Sequence, residues 1–332
     1  MADKKILLIA PRFFGYYQEI INEAEKMGFY VDYLCDTSNN SNLGKAVGRI
    51  NRKLLSVSMH NYFKNAVLPL VRTKHYDCVL LIAGMTFSFT DDMLRVIKKN
   101  QRRAQFIIYQ WDAQKNLPYV KKIHKYFEKK YSFDRIDCLS DPTYNFLPLF
   151  YVNKYETIPD IQNSDIKYDC SYIGTAHPKK YKEINEIADA VRNKMPRQLI
   201  YHYMPSKLKY LYHKMTAVEY RKASLKDFQM RKIPSDQMMR IFAESICILD
   251  APQEGQNGLT IRTIECLGAG RKLITTNADI VNYDFYNEKN ILVYNKDIDL
   301  ESPFFLDEYE QAPYSIYRKY ALRNWLETML QS

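Results

Sequence analysis

From Ser245 to Tyr294 the chain reads SICILDAPQEGQNGLTIRTIECLGAGRKLITTNADIVNYDFYNEKNILVY, and no other stretch narrows the fold as much. The apolar run Ile246 to Leu249 ends at Asp250 and reads as a short buried strand. A polar, glycine-containing loop follows, Gln253 to Gly258. Thr260 can then cap a helix to about Leu267, with Gly268 and Gly270 placed to stop it. A second apolar strand, Lys272 to Thr275, comes directly after. Strand, loop, helix, strand is the unit of a parallel α/β sheet. The loop and helix N-terminus at the carboxyl end of the first strand are where open α/β sheets bind ligands, and backbone N–H groups there favour phosphate.

The rest of the chain repeats this alternation. Strands are expected at Lys5 to Ala10, Phe29 to Cys35, Asp77 to Ala83, Gln105 to Tyr109 and Arg135 to Leu139. Helices are expected at about Tyr16 to Met27, over one or two segments of 45–73, from the Thr90 cap to Asn100, and over 118–129. Thr37 to Asn42 reads as a loop. Residues 151–167 lose periodicity and mark a boundary. Tyr168 to Gly174 opens a second sheet, with helix 179–194, strand Gln198 to Tyr203, helical 205–224 and a helix from Ser235 to about Ser245. Tyr314 to Leu330 reads as one final helix. The expected division is a Rossmann-like domain over 1–160, a second over 161–313 and a terminal helix over 314–332.

Composition bounds the partners. A chain of 332 residues with 46% hydrophobic and 26% charged residues is globular and long enough for two domains. No apolar run approaches the ~20 residues that span a bilayer. The start, MADKKILLIAPRFF, has too short an apolar stretch for a signal peptide, so a cytoplasmic protein is expected. The six scattered Cys suit buried thiols, and no CxxC pair suggests zinc. The net charge is +10, with basic clusters at Lys98 to Arg103, Lys121 to Lys130 and Lys207 to Lys232, and Tyr is abundant at 28. Such clusters are either solvated helix faces or attraction to nucleotide phosphates, a diphosphate-lipid or an anionic membrane surface. No nucleic-acid-binding motif is present.

The strings Gly258-Leu259-Thr260, Glu265-Cys266-Leu267-Gly268-Ala269-Gly270 and Leu273-Ile274-Thr275-Thr276 resemble the donor-binding half of GT-B glycosyltransferases. The wording GLTIRTIECLGAG is similar to bacterial enzymes of polysaccharide and lipopolysaccharide biosynthesis, over roughly 168–295. The resemblance implies two Rossmann-like domains with parallel sheets across a cleft. The second would bind a nucleotide-sugar, and the first a hydroxyl acceptor on a glycan or lipid; the basic, Tyr-bearing clusters, not the resemblance, add the expectation of a peripheral place at the inner face of the plasma membrane. The resemblance places Glu265 on the ribose hydroxyls and the turn bearing Arg12 and Gly15 toward the acceptor. The commoner pattern has two acidic residues eight apart. Here Asn257 stands eight before Glu265, so the first acidic role passes to Glu254 or is absent.

The remaining site candidates each have a plain alternative. Arg262, at i−3 from Glu265, is a clamp on the donor diphosphate or a sugar carboxylate, or else a helix ion pair. Gly174 and Thr175 end a strand where backbone can approach a phosphate to which His177 donates, or they form a turn. Asn257 and Gly258 face the donor sugar or a surface loop. Lys179 and Lys180 read as surface. Asp112, after the fourth strand, is the candidate base for an inverting reaction, or a cap. Asp91-Asp92 begins a helix and suits its dipole better than a metal, so no cofactor or metal is expected. A non-catalytic nucleotide- or glycan-binding protein and a nucleotide-sugar epimerase stay open. An oxidoreductase does not, for want of a GxGxxG after any strand.

Overall fold

The computed structural model describes residues 4–38, 56–158, 166–253 and 257–331. The chain forms two compact units, 1–148 with 322–332, and 149–321. The divisions read from sequence were 160 and 313.

In the first unit, β1 (Lys5–Ala10), α1 (Tyr16–Lys26), β2 (Tyr30–Cys35), α2, β3 (Cys78–Ala83), α3 (Asp91–Asn100), β4 (Gln105–Gln110), β5 (Lys129–Ser132), α4 (Arg135–Ser140) and β6 (Asn145–Phe146) succeed one another. Helix α2 runs through Ser56–Tyr62, a π-turn at Phe63–Val67 and Leu68–Thr73. All neighbouring strands are parallel, in the order β2-β1-β3-β4-β5-β6. Central strands are apolar on both faces because helices cover both. Leu7, Ile9, Val79, Leu81, Phe106 and Ile108 pack with Val67, Val71, Leu94 and Ile97.

The second unit contains α5 (Asn153–Glu156), β7 (Tyr168–Thr175), α6 (Pro178–Val191), β8 (Gln198–Tyr203), α7 (Lys207–Thr216), β9 (Phe228–Gln229), α8 (Ser235–Ala243) and β10 (Ser245–Asp250). Then come α9 (Ile261–Ala269), β11 (Lys272–Thr275), β12 (Ile291–Val293), α10 (Pro303–Leu306) and α11 (Tyr314–Lys319). Its sheet is again parallel, in the order β12-β11-β10-β7-β8-β9. Helix α12 (Leu322–Leu330) belongs to the first unit, where Trp325 meets the Tyr109 ring edge-on at 4.7 Å.

Three sequence expectations change. Residues 135–139 are helix, not strand, because the Asp134 carboxylate accepts from the N–H groups of Ile136 and Asp137 and caps them. The strand lies upstream at Lys129–Ser132, and the helix expected over 118–129 contracts to a 3₁₀ segment, Val120–Tyr126. Gly268 does not stop α9; it lies inside it, where a Cβ would meet the Tyr151 ring at 2.5 Å. Gly270, at φ +60, ends the helix. The final helix is broken, because the Tyr320 carbonyl turns outward to accept from the Tyr151 N–H at 2.9 Å. The loop after Ser38, residues 45–55, 159–165 of the boundary segment and Glu254 lie outside the described residues. No helix among the described residues is long and apolar enough to cross a membrane.

Candidate functional site

In each sheet, two adjacent strands send their chains off in opposite directions, and a parallel sheet opens a crevice there at its carboxyl edge. The second sheet has this switch between β7 and β10. Asp250 ends β10, and Gly174 and Thr175 end β7.

Thr260 starts α9 as expected: its hydroxyl accepts from the Thr263 N–H and donates to Asp250 Oδ2 at 2.6 Å. The helix therefore opens at the carboxyl end of β10 with its N–H groups at that edge. Arg262, in the first turn, donates from Nη1 to Glu265 Oε2 at 2.8 Å and lies over the Phe242 ring at 4.9 Å. Glu265 is only 2% exposed, and the buried Tyr155 hydroxyl lies within its electrostatic reach. The Asn277 side-chain amide holds the incoming loop, donating to the Asn257 carbonyl at 2.9 Å and to that of Gly258 at 3.5 Å. Asn257 is exposed and Gly258 buried.

At β7, Gly174 is required by a side chain. A Cβ there would fall 2.2 Å from the Tyr172 hydroxyl. That hydroxyl is buried and has no hydrogen-bond partner among the described residues; burial pushes its pKa well up. Thr175 pairs with Tyr203 in the sheet, and half-buried His177 is the N-cap of α6 without a side-chain capping bond.

Sequence reasoning missed Lys180. It is half-buried rather than surface, and no ion pair or hydrogen bond reaches it among the described residues. Burial pulls its ammonium below the usual lysine range; Asp250 opposes this and Arg262 adds to it. A signal was present: a lysine in the first turn of a helix opposes the helix dipole and needs some other reason to be there. Tyr172, Tyr155 and Asp250 were missed because strand and short-helix positions read as core. The second unit thus brings Tyr172, Lys180, Asp250, Thr260, Arg262 and Glu265 to one edge.

The first sheet switches between β1 and β3. Arg12 is exposed, with its guanidinium 5.9 Å above the Tyr33 ring. Gly15 caps α1 at φ +82, which only glycine adopts without strain. Asp112 accepts from the Met85 N–H through Oδ2 at 2.8 Å, joining the ends of β3 and β4. A Cβ on Gly84 would approach that oxygen to 3.3 Å and the Pro11 ring to 3.8 Å, so Asp112 and the turn after β1 lie side by side.

The metal-free expectation overlooks one Asp-x-Asp string, Asp297-Ile298-Asp299. Its carboxylates are exposed, and Asp299 accepts from the Glu301 N–H in a local turn. No group of three His, Cys, Asp or Glu able to hold a metal gathers among the described residues.

The sequence matches no family model and no curated protein. Among solved structures it is similar to the catalytic domain of starch synthase IV from Arabidopsis thaliana bound to ADP and acarbose. The TM-score is 0.59 and the identity 8%, over 98% of this chain and 95% of that one. It is also similar to Anabaena HepE in complex with UDP and glucose, with TM-score 0.57, 8% identity and 98% of each chain covered. Sucrose-phosphate synthase from Thermosynechococcus elongatus gives TM-score 0.57 and 10% identity, over 98% of this chain and 94% of that one. At these identities the likeness is one of fold: the chain has the GT-B fold of two Rossmann-like units.

Proposed function

We propose that the protein is a glycosyltransferase. It takes a glycosyl group from a nucleotide-sugar held at the carboxyl edge of the second sheet. It passes that group to a hydroxyl of a glycan or lipid-linked acceptor in surface polysaccharide assembly. The observation that carries this reading is the opening of α9 at the carboxyl end of β10, where Thr260 caps the helix and bonds Asp250 and Arg262 stands in the first turn; the Lys180 ammonium, held below its usual range by burial against the pull of Asp250, adds a second cation that feels Arg262. Two cations at one edge repel each other, and an anion between them reverses the sign of that interaction. A nucleoside diphosphate is the anion of fitting charge, and UDP and ADP occupy the solved structures named above.

In this reaction the bond from the anomeric carbon to the diphosphate oxygen breaks, and a new glycosidic bond to the acceptor oxygen forms. Lys180, Arg262 and the first N–H groups of α9 take up the charge that grows on the leaving diphosphate. The acceptor's proton passes to a base if configuration inverts; Asp112 is the base proposed for that case. Turnover is expected to persist in excess EDTA.

One observation favours a second reading, a nucleotide-binding protein without turnover. Asn257 stands where the commoner pattern has an acid, and the Glu265 carboxylate is held by Arg262. A thermal-shift panel of UDP-, ADP-, GDP- and CMP-sugars, followed by nucleotide release with lipid-linked acceptors, tests both. One nucleotide class should raise the melting temperature, and Lys180→Gln should weaken its binding roughly tenfold or more. Binding without release of nucleotide selects the second reading. A protein stabilised by no nucleotide-sugar would defeat both.

A further inference from the structure

Helix α7 is turned the wrong way round for a helix of a globular core. Its packed side carries Tyr210, His213 and Lys214. The Tyr210 hydroxyl donates to the Ala223 carbonyl at 3.0 Å, His213 stacks on Tyr220 at 5.5 Å, and the Lys214 ammonium donates to the carbonyls of Arg221 and Ala223 at 2.8 and 2.7 Å. Its aliphatic side chains are on the other side. Leu208, Leu211, Tyr212 and Met215 recur at i, i+3, i+4 and i+7, within an arc of about 100°. All four are exposed, Leu208 and Met215 at 77%, and exposed Val218 follows. The packed side anchors the helix through polar groups, so the bare stripe is held outward.

The charge around the stripe is predominantly positive. Residues 205–232 hold eight Lys or Arg against two acids, Glu219 and Asp227, which is more than half of the chain's net charge of +10. Lys207, Arg221, Lys222, Lys226 and Arg231 are exposed. Asp227 is already engaged by the Tyr181 hydroxyl and the Ser224 N–H, each at 2.8 Å. Leu225 and Met230, both exposed, interleave with the cations.

We infer that this face of the second unit docks on an anionic lipid surface. Leu208, Leu211 and Met215 enter the acyl boundary, Tyr212 lies at headgroup level, and the surrounding cations meet lipid phosphates. An aliphatic stripe ringed by like positive charge suits that occupant: lipid supplies both an apolar layer and negative charge. The inference stands apart from the transferase reading, because its test reads binding rather than turnover.

The whole protein is co-sedimented with vesicles of phosphatidylglycerol and phosphatidylcholine in equal parts, and with phosphatidylcholine alone. Binding to the mixed vesicles is expected to fall with added salt and to be weaker by about tenfold or more on phosphatidylcholine. Leu208→Ser, Leu211→Ser and Met215→Ser together should lower partition by about tenfold or more with unchanged melting temperature, since none of the three packs against the core. Leu211→Trp should gain fluorescence that shifts to the blue on mixed vesicles. Equal binding by the triple variant, an unshifted Trp, or no binding to mixed vesicles overturns the inference. So does self-association that the triple variant abolishes without any effect of lipid, which would assign the stripe to a second copy of this chain.

Discussion

Removing the Glu265 carboxylate separates two roles for it, ribose ligand and partner of Arg262. In the structure it is sealed at 2% exposure and accepts from Arg262 at 2.8 Å. Glu265→Ala strands a guanidinium that is itself only 16% exposed. Breaking one side of a buried pair costs about 3–5 kcal/mol, and the water at the rim of Arg262 places this pair at the low end, about 3 kcal/mol. A unit of this size loses about 2–4 °C per kcal/mol, so its melting temperature should drop by about 6–12 °C and the fold should survive. Arg262→Leu combined with Glu265→Leu should recover most of that loss, because apolar replacement removes both desolvation costs. Thermal unfolding of the single and double variants measures it, with nucleotide-sugar affinity in parallel. If Glu265→Ala melts within about 1 °C of the parent, or the double variant is additive, the stability argument fails. Lost donor affinity at unchanged stability would return Glu265 to the ribose.

Three further outcomes are expected. Gly174→Ala should destabilise by about 1–3 kcal/mol, because its Cβ meets the Tyr172 hydroxyl at 2.2 Å and ring carbon Cζ at 2.6 Å, and the penalty should shrink in a Tyr172→Ala background, which removes both; urea unfolding of the four combinations decides. His202 is 2% exposed among the rings of Tyr172, Tyr181 and Phe228, with Asn185 3.4 Å from Nε2, and burial draws its pKa down to about 4 against a slight upward pull from Asp227. The unfolded chain then binds the extra proton between the ordinary value and about 4, so stability falls as pH drops through that window, by up to about 3 kcal/mol; His202→Gln should flatten the curve, and an unchanged slope would refute the assignment. Asp112→Asn keeps an oxygen for the Met85 N–H and removes basicity, so kcat should fall ~10²-fold at nearly constant melting temperature, whereas full activity leaves Asp112 a structural residue joining the ends of β3 and β4.

The architecture could be read because its signals are local. The Thr260 cap, the Gly270 stop and the apolar runs of β1, β8 and β11 each name their element within a few residues. At 135–139 the strand-like alternation of Arg135, Ile136, Asp137 and Cys138 was outweighed by the Asp134 cap just ahead of it. Gly268 read as a helix stop because the reason for it is the Tyr151 ring, more than a hundred residues earlier in the chain. The same limit applies at the candidate site. Arg262 and Glu265 are one helical turn apart and could be paired on paper. Lys180 and Asp250 lie on different βα turns, and only the strand order β10-β7 brings them within electrostatic reach.

The return of the last helix to the first unit sets an order of completion during synthesis. Trp325 and its neighbours on α12 fill a place beside Tyr109 that stays open while the whole of 149–321 is being made. The unit that emerges first from the ribosome is thus finished last, with its apolar seat for α12 uncovered in the meantime. The second unit is one continuous stretch, and its two ends are already joined by the bridge of Tyr151 to Ala321. It can close on itself before α12 is made. Loss of α12 would therefore leave the second unit intact and injure the first.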